Sequence, residues 1–123
     1  MTPILQVALG GALGASGRYL TGIALGRLLG TGFPWATLGV NILGSFAMGV
    51  LVVVLGHFPA TRAAPFLMTG LLGGFTTFSA FSLDAVTLYE RGQIGLAAAY
   101  VAASVVLSIA ALCAGIALAR SLT

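Results

Sequence analysis

The chain has 123 residues, of which 59% are hydrophobic and 6% are charged, and its net charge of +3 is small. Soluble domains carry about a quarter charged residues, so this composition excludes a soluble protein, and the few scattered cations exclude a nucleic-acid surface. The single cysteine excludes a disulfide framework. One His, one Cys and two acidic residues cannot supply a nucleophile with its base. We therefore expect an integral membrane protein that is not an enzyme.

Apolar runs occur at about residues 4–28, 35–56, 63–89 and 94–119. Each is long enough for the roughly 20 residues with which a helix crosses a bilayer. Short segments rich in Gly, Pro and polar residues separate the runs. The sequence therefore predicts an all-α, multi-pass membrane protein, with one domain of four transmembrane helices over residues 1–123.

The first predicted helix carries small residues and one cation at four-residue spacing: Gly10, Gly14, Arg18, Gly22 and Gly26. We interpret the glycines as sites of close helix packing. Arg18 lies near the middle of the apolar run, where a charge is costly unless it is paired or hydrated. Two roles remain open for it: attracting anions toward a pore mouth, or capping backbone carbonyls of a neighbouring helix.

Two predicted helices each carry a row of polar side chains at four-residue steps, so that the members of a row share one face. The rows are Thr37, Asn41 and Ser45 on the second helix, and Tyr100, Ser104 and Ser108 on the fourth. Such rows provide either hydrogen bonds between helices or a path for a partly dehydrated small ion. The two rows together favour the path.

The third run contains a glycine pair, three hydroxyls and three phenylalanines over residues 73–81. We expect the glycine pair, Gly73 and Gly74, to break the helix. A break within the bilayer persists only where it is buried in protein, binds an ion or lines a wet cavity. Its carbonyls, backed by Thr76 and Thr77, predict an oxygen-rich site for a hard cation such as a structural sodium ion. The alternative is a kink satisfied only by neighbouring hydroxyls.

Phe78 and Phe81 follow the expected break and share a helix face at three-residue spacing. An aromatic ring is negative on its face and positive at its rim, so rings presented edge-on suit a small anion and rings presented face-on suit a cation. A pair at this spacing is also common in core packing. Its position directly after the break favours an ion path.

The arginines at the helix ends are balanced across the membrane. Four spans place Arg62 and Arg120 on one side and Arg27 and Arg91 on the other. Proteins orient by an excess of Lys and Arg on the cytoplasmic side, so a balanced chain is expected to insert both ways up. This predicts a dual-topology protein that forms an antiparallel homodimer, unless Arg18 near an interface tips the count.

Four ordered motifs carry a resemblance to a known family. They are GASGRY at 14–19, PWATLGVN at 34–41, GSF at 44–46 and GGFTTFSAF at 73–81. With them, the chain resembles the fluoride ion channels called Fluc or CrcB, small four-helix proteins of bacterial inner (plasma) membranes. The resemblance implies passive export of cytoplasmic fluoride, which reduces fluoride toxicity, through two pores of an antiparallel dual-topology homodimer.

The resemblance also implies roles for particular residues. Phe78, Phe81 and Asn41 would line the fluoride pores, and Arg18 would lie near the pore entrance. The polar track would consist of Thr37, Thr77, Tyr100, Ser104 and Ser108. The backbone carbonyls of Gly73 and Thr76 would hold a sodium ion at the dimer axis. Two residues depart from the usual pattern, since Ala80 replaces a frequent Thr and Asp84 replaces a longer Glu.

Two alternatives belong to other functional classes. A proton-coupled exporter of the small multidrug resistance kind shares the length and the four helices, but it needs a membrane-embedded acid in its first helix. The first helix has none, and Asp84 lies in the third. A non-transporting assembly subunit would use its polar rows for packing only. Substituting Asn41 or Phe78 would then change stability without changing any flux.

Overall fold

The computed structural model describes residues 2–57 and 62–123. Every regular element in these residues is helical, which confirms the all-α prediction and its four helices. Three of the helices are α1 (Pro3–Leu29), α2 (Trp35–Gly56) and α5 (Ile94–Leu122). The remaining helix lies between α2 and α5 in the chain, covers Pro65–Glu90 and consists of several parts. We call it the third span. Its parts are a π-helix (Pro65–Leu72), α3 (Gly73–Phe75), the extended residues Thr76 and Thr77, and α4 (Phe78–Glu90).

Among the described residues, three helices are long and apolar enough to cross a membrane: Trp35–Gly56, Pro65–Glu90 and Ile94–Leu122. A membrane protein is thereby supported. Helix α1 has 27 residues and a length of about 40 Å, which would suffice. It is less apolar than the others because glycines, Gln6 and Arg18 interrupt its apolar side chains.

The helices begin and end where local chemistry directs. Thr2 caps α1 by accepting a hydrogen bond from Leu5 N, and Pro3 occupies the first helical position, where it needs no donor. Thr77 caps α4 in the same way, through a bond from Ala80 N. Gly30 follows α1 with φ of 80°, a conformation that favours glycine. These signals set both ends of α1 and the start of α4.

Helix α1 packs against the first part of the third span at the distance of backbone contact. A Cβ placed on Gly10 would lie 2.5 Å from Phe66 O, and one placed on Gly74 would lie 2.8 Å from Gly11 O. Both separations are too short for a real side chain. Only glycine therefore permits this approach, as is common where membrane helices cross closely.

The small-residue stripe of α1 divides into two parts. Gly14 contacts the third span at Leu71 O, so the predicted packing role holds at Gly10 and Gly14. A Cβ on Gly22 or Gly26 would meet nothing within 4 Å among the described residues. The second half of the stripe is therefore open in a single chain.

Helices α2 and α5 form a second close crossing. A Cβ on Gly49 would meet Leu112 O, and one on Gly115 would meet Phe46 O. Beside this crossing, α4 joins α2 and α5 through a buried core cluster. Its members are Leu38, Leu88, Ala97 and Tyr100, with Phe33 and Phe81 packed against them. This cluster places the start of α4 between α2 and α5.

The glycine pair does not break the third span, contrary to the sequence-based expectation. Gly73 has the helical angles φ −62° and ψ −36°, and Gly74 continues α3. The extended residues come later, with ψ of 158° at Thr76 and 125° at Thr77. Because it has no side chain, Gly74 can make the close contact with α1, and this contact leaves its helical backbone intact.

Candidate functional site

The Asn41 side chain of α2 holds the extended residues of the third span in place. Asn41 Nδ2 donates to Thr77 O at 3.0 Å, and Thr77 N donates to Asn41 Oδ1 at 2.8 Å. One amide thus pairs both backbone groups of a residue that has no helical partners. In an apolar environment each unpaired backbone group would cost free energy, so the bonds from Asn41 stabilise the extended conformation.

Arg18 of α1 caps a carbonyl on the other side of the same segment. Its Nε donates to Gly74 O at 3.1 Å, and the side chain is partly buried. Of the two roles left open by the sequence, the structure shows the capping role. The guanidinium also borders a cavity of about 340 Å³, together with Tyr19, Thr37 and Thr77.

Two carbonyls of the segment are deprived of their usual helical donors. In an α-helix, Gly73 O would accept from Thr77 N, and Thr76 O would accept from Ala80 N. Thr77 N donates to Asn41 instead, and Ala80 N donates to Thr77 Oγ1 at 3.2 Å. The Gly73 and Thr76 carbonyls are therefore available oxygen ligands, a donor set that fits a hard cation such as sodium.

A groove of about 360 Å³ opens between α2, α4 and α5, and we call it the phenylalanine groove. It brings together most of the residues that the sequence marked for an ion path. They are Asn41, Thr77, Phe78, Phe81, Ser104 and Ser108, with Ser45 beside them. The groove lining contains polar and aromatic side chains but none that titrates near neutral pH.

The two phenylalanines form an edge-to-face pair within the groove. Their ring centroids are 5.3 Å apart and their planes are inclined by 84°. Phe78 remains 66% exposed, whereas Phe81 packs on the buried Tyr100 ring at 5.3 Å. Phe81 is therefore anchored in the core, and Phe78 is the ring free to meet an ion or a partner.

Ser104 and Ser108 have hydroxyls with no hydrogen-bond partner in the part of the chain that the structure describes. Ser104 is only 6% exposed, and both serines line the phenylalanine groove. A buried unpaired hydroxyl requires an explanation, because such groups normally find partners. Here the two hydroxyls are available to a molecule or ion in the groove.

The residues of the predicted polar track border two different cavities of the single chain or lie buried beside them. Tyr100 is fully buried beneath the groove, where its hydroxyl donates to Asp84 Oδ2 at 3.1 Å. Thr37 borders the cavity next to Arg18 instead of the phenylalanine groove. Thr77 is the residue that lines both. Thr77 therefore lies between the two cavities.

Sequence reasoning assigned no part in this site to several apolar residues. Met48, Val105 and Leu112 form groove walls, and apolar side chains carry no signal in an apolar chain. Gly44 also lines the groove, and a Cβ there would meet Thr76 Cγ2. Gly44 belongs to the quoted GSF motif, which carried the family resemblance but predicted no role for this residue.

Comparison with known proteins agrees with the resemblance carried by the motifs. Residues 5–116 match the family described as CrcB-like protein, Camphor Resistance. Relatives named fluoride-specific ion channel FluC occur in Cereibacter sphaeroides, with 69% identity over 98% of this chain and 96% of the relative, and in Rhodospirillum centenum, with 61% identity over 98% of each. The relative of that name in Agrobacterium fabrum is 55% identical over 99% of each chain. The chain belongs to the CrcB-like family.

Proposed function

We propose that this protein is a fluoride-selective channel that lets cytoplasmic fluoride leave a bacterial cell passively across the inner membrane and so reduces fluoride toxicity. The observation that carries the proposal is the phenylalanine groove. It combines an aromatic pair, an amide and two hydroxyls that have no partner among the described residues, in a cavity between helices apolar enough to cross a membrane. The names of the relatives point to the same ion.

The groove offers what a partly dehydrated anion needs. The hydroxyls of Ser104 and Ser108 are donors without partners among the described residues, and Asn41 has a second amide hydrogen beyond the one it gives to Thr77. The rims of Phe78 and Phe81 carry partial positive charge. These hydrogen-bond donors and ring edges replace the water molecules that the anion loses, and they bind it less tightly than a full positive charge would. Because no lining side chain titrates, passage requires no coupled proton.

The same proposal includes an antiparallel, dual-topology homodimer with two pores. Phe78 is 66% exposed in a single chain, and a second copy would cover it. The open glycines Gly22 and Gly26 offer a surface for close helix contact. The balanced arginines permit both orientations. Helix α1 would cross the membrane together with the three more apolar spans, which gives four membrane spans in each chain.

The carbonyls of Gly73 and Thr76 would hold a structural sodium ion at the dimer axis. The support is chemical, since both oxygens have lost their helical donors to side-chain bonds. Bound there, a sodium ion would balance the partial negative charge of the carbonyls and tie the surrounding segments together. The ion is proposed as part of the structure and not as cargo.

Efflux from liposomes tests the proposal directly. Purified protein is reconstituted into vesicles loaded with potassium fluoride, valinomycin carries the potassium, and an electrode follows released fluoride. We expect rapid release of fluoride, and no release of chloride from matched vesicles loaded with potassium chloride. Fluoride release no faster than from protein-free vesicles, by protein shown to be folded, would refute the channel.

A further inference from the structure

Arg18 makes one specific contact that the proposed conduction path does not use. Its Nε–H bond to Gly74 O connects α1 to the third span across 56 positions of sequence. Gly74 lies in α3, directly before the extended segment. A partly buried cation within an apolar helix costs free energy, so the position of Arg18 calls for a structural or functional explanation.

The bond forms one of two clamps around the extended segment. On one side Arg18 of α1 holds Gly74 O, and on the other Asn41 of α2 holds Thr77 N and Thr77 O. Two carbonyls whose usual helical donors bond to side chains instead belong to Gly73, immediately before the first clamp, and to Thr76, between the two clamps. Their directions therefore depend on both clamps.

We propose that Arg18 is a positioning residue whose Nε–H bond, and not its charge, orients the Gly73 and Thr76 carbonyls toward a bound sodium ion. The inference rests on the proposed sodium site. Charge alone would act in the opposite direction, because a guanidinium beside the carbonyls repels a cation. The donor and the charge can therefore be separated by experiment.

Substitutions at position 18 separate the two properties cleanly. Gln carries its amide nitrogen the same number of bonds from Cα as Nε of Arg, so Arg18→Gln keeps the donor and removes the charge. Arg18→Lys keeps a positive charge but has a methylene group at that place. Arg18→Met removes both. Arg27→Met, at an exposed site in the last turn of α1, is the matched control.

The measurement is the rise in unfolding temperature of the purified protein in detergent as sodium chloride replaces N-methylglucamine chloride. Ligand that binds only the folded state raises this temperature according to its affinity. We expect Arg18→Gln to need no more sodium than wild type for half of the rise. Arg18→Lys and Arg18→Met should need about tenfold more, as for a lost hydrogen bond from a charged group. Arg27→Met should match wild type.

Three results would overturn the inference: Lys behaving as wild type while Gln behaves as Met, equal sodium curves for all variants, or no sodium response in the wild type. If Arg18→Met does not fold, the comparison of Gln with Lys decides. Fluoride efflux is measured separately and tests a different claim. Normal wild-type efflux with equal sodium curves rejects the role of Arg18 alone, whereas absent efflux with the expected split between Gln and Lys rejects the channel alone.

Discussion

The two halves of the third span differ in what holds them. The first half, Pro65–Leu72 with Gly73–Phe75, packs backbone to backbone against α1 through glycines. The second half, Phe78–Glu90, packs on α5 through side chains and leaves Phe78 66% exposed. We call them the packing half and the groove half. In the packing half the size of a residue decides the structure, whereas in the groove half the chemistry of the side chain decides what can bind.

Asn41→Ala removes the clamp between the two halves and should have the largest effect. It leaves Thr77 N and Thr77 O unpaired, at about 1–3 kcal/mol for each group. We expect lower stability in detergent unfolding together with loss of fluoride efflux. Val52→Ala, at an exposed position of α2 outside the groove lining, is the control and should retain both. Unchanged stability of Asn41→Ala would show that the clamp is not needed.

Gly14→Ala tests the packing half alone. The new Cβ would meet Leu71 O, a backbone atom that cannot move aside, so we expect a loss of about 1–3 kcal/mol in unfolding free energy. Protein that still folds should conduct fluoride. Gly11→Ala is the control on the same helix, since its Cβ would meet nothing within 4 Å of the described residues. Equal losses in both variants would contradict the close crossing.

Phe78→Ile tests the groove half alone. Because the ring is largely exposed in the single chain, its replacement should change the stability of the folded chain itself by no more than about 0.5 kcal/mol. Efflux should fall at least about tenfold, equivalent to roughly 1.4 kcal/mol of lost interaction with the passing ion. Leu83→Ala is the matched control, at a residue 67% exposed on the same helix. Normal efflux from Phe78→Ile would favour a ring that serves packing only.

Ser104→Ala should give the smallest change in stability, and it tests again whether a groove residue affects efflux more than stability. The hydroxyl has no partner in the described residues, so its removal leaves no protein group unpaired and should be neutral or slightly stabilising. Efflux should nevertheless decrease by a few fold, because one donor to the anion is gone. Ser121→Ala, in an exposed position near the end of α5, is the control for flux. A clear loss of stability in Ser104→Ala would assign the hydroxyl to packing.

Much of the site was accessible from the sequence because its members are polar residues in an apolar chain. Asn41, Ser104 and Ser108 stand out for that reason, and all three line the groove. The prediction failed at Gly73 and Gly74, which remain helical. Glycine permits a break but does not require one, and here close contact with α1 uses its missing side chain. Helix periodicity grouped Thr37 with Asn41. It cannot show that the third span lies between the phenylalanine groove and the cavity beside Arg18.

The sequence by itself determined the class of protein, the number of helices and their approximate ends. Hydrophobic run length and capping residues act locally, so they can be interpreted without neighbours. Only the tertiary structure decided where the third span becomes extended, and that Arg18 and Asn41 hold it from two sides. The position of the extended residues depends on which unpaired carbonyl or amide meets a donor or acceptor from another helix. Spacing along one chain does not contain that information.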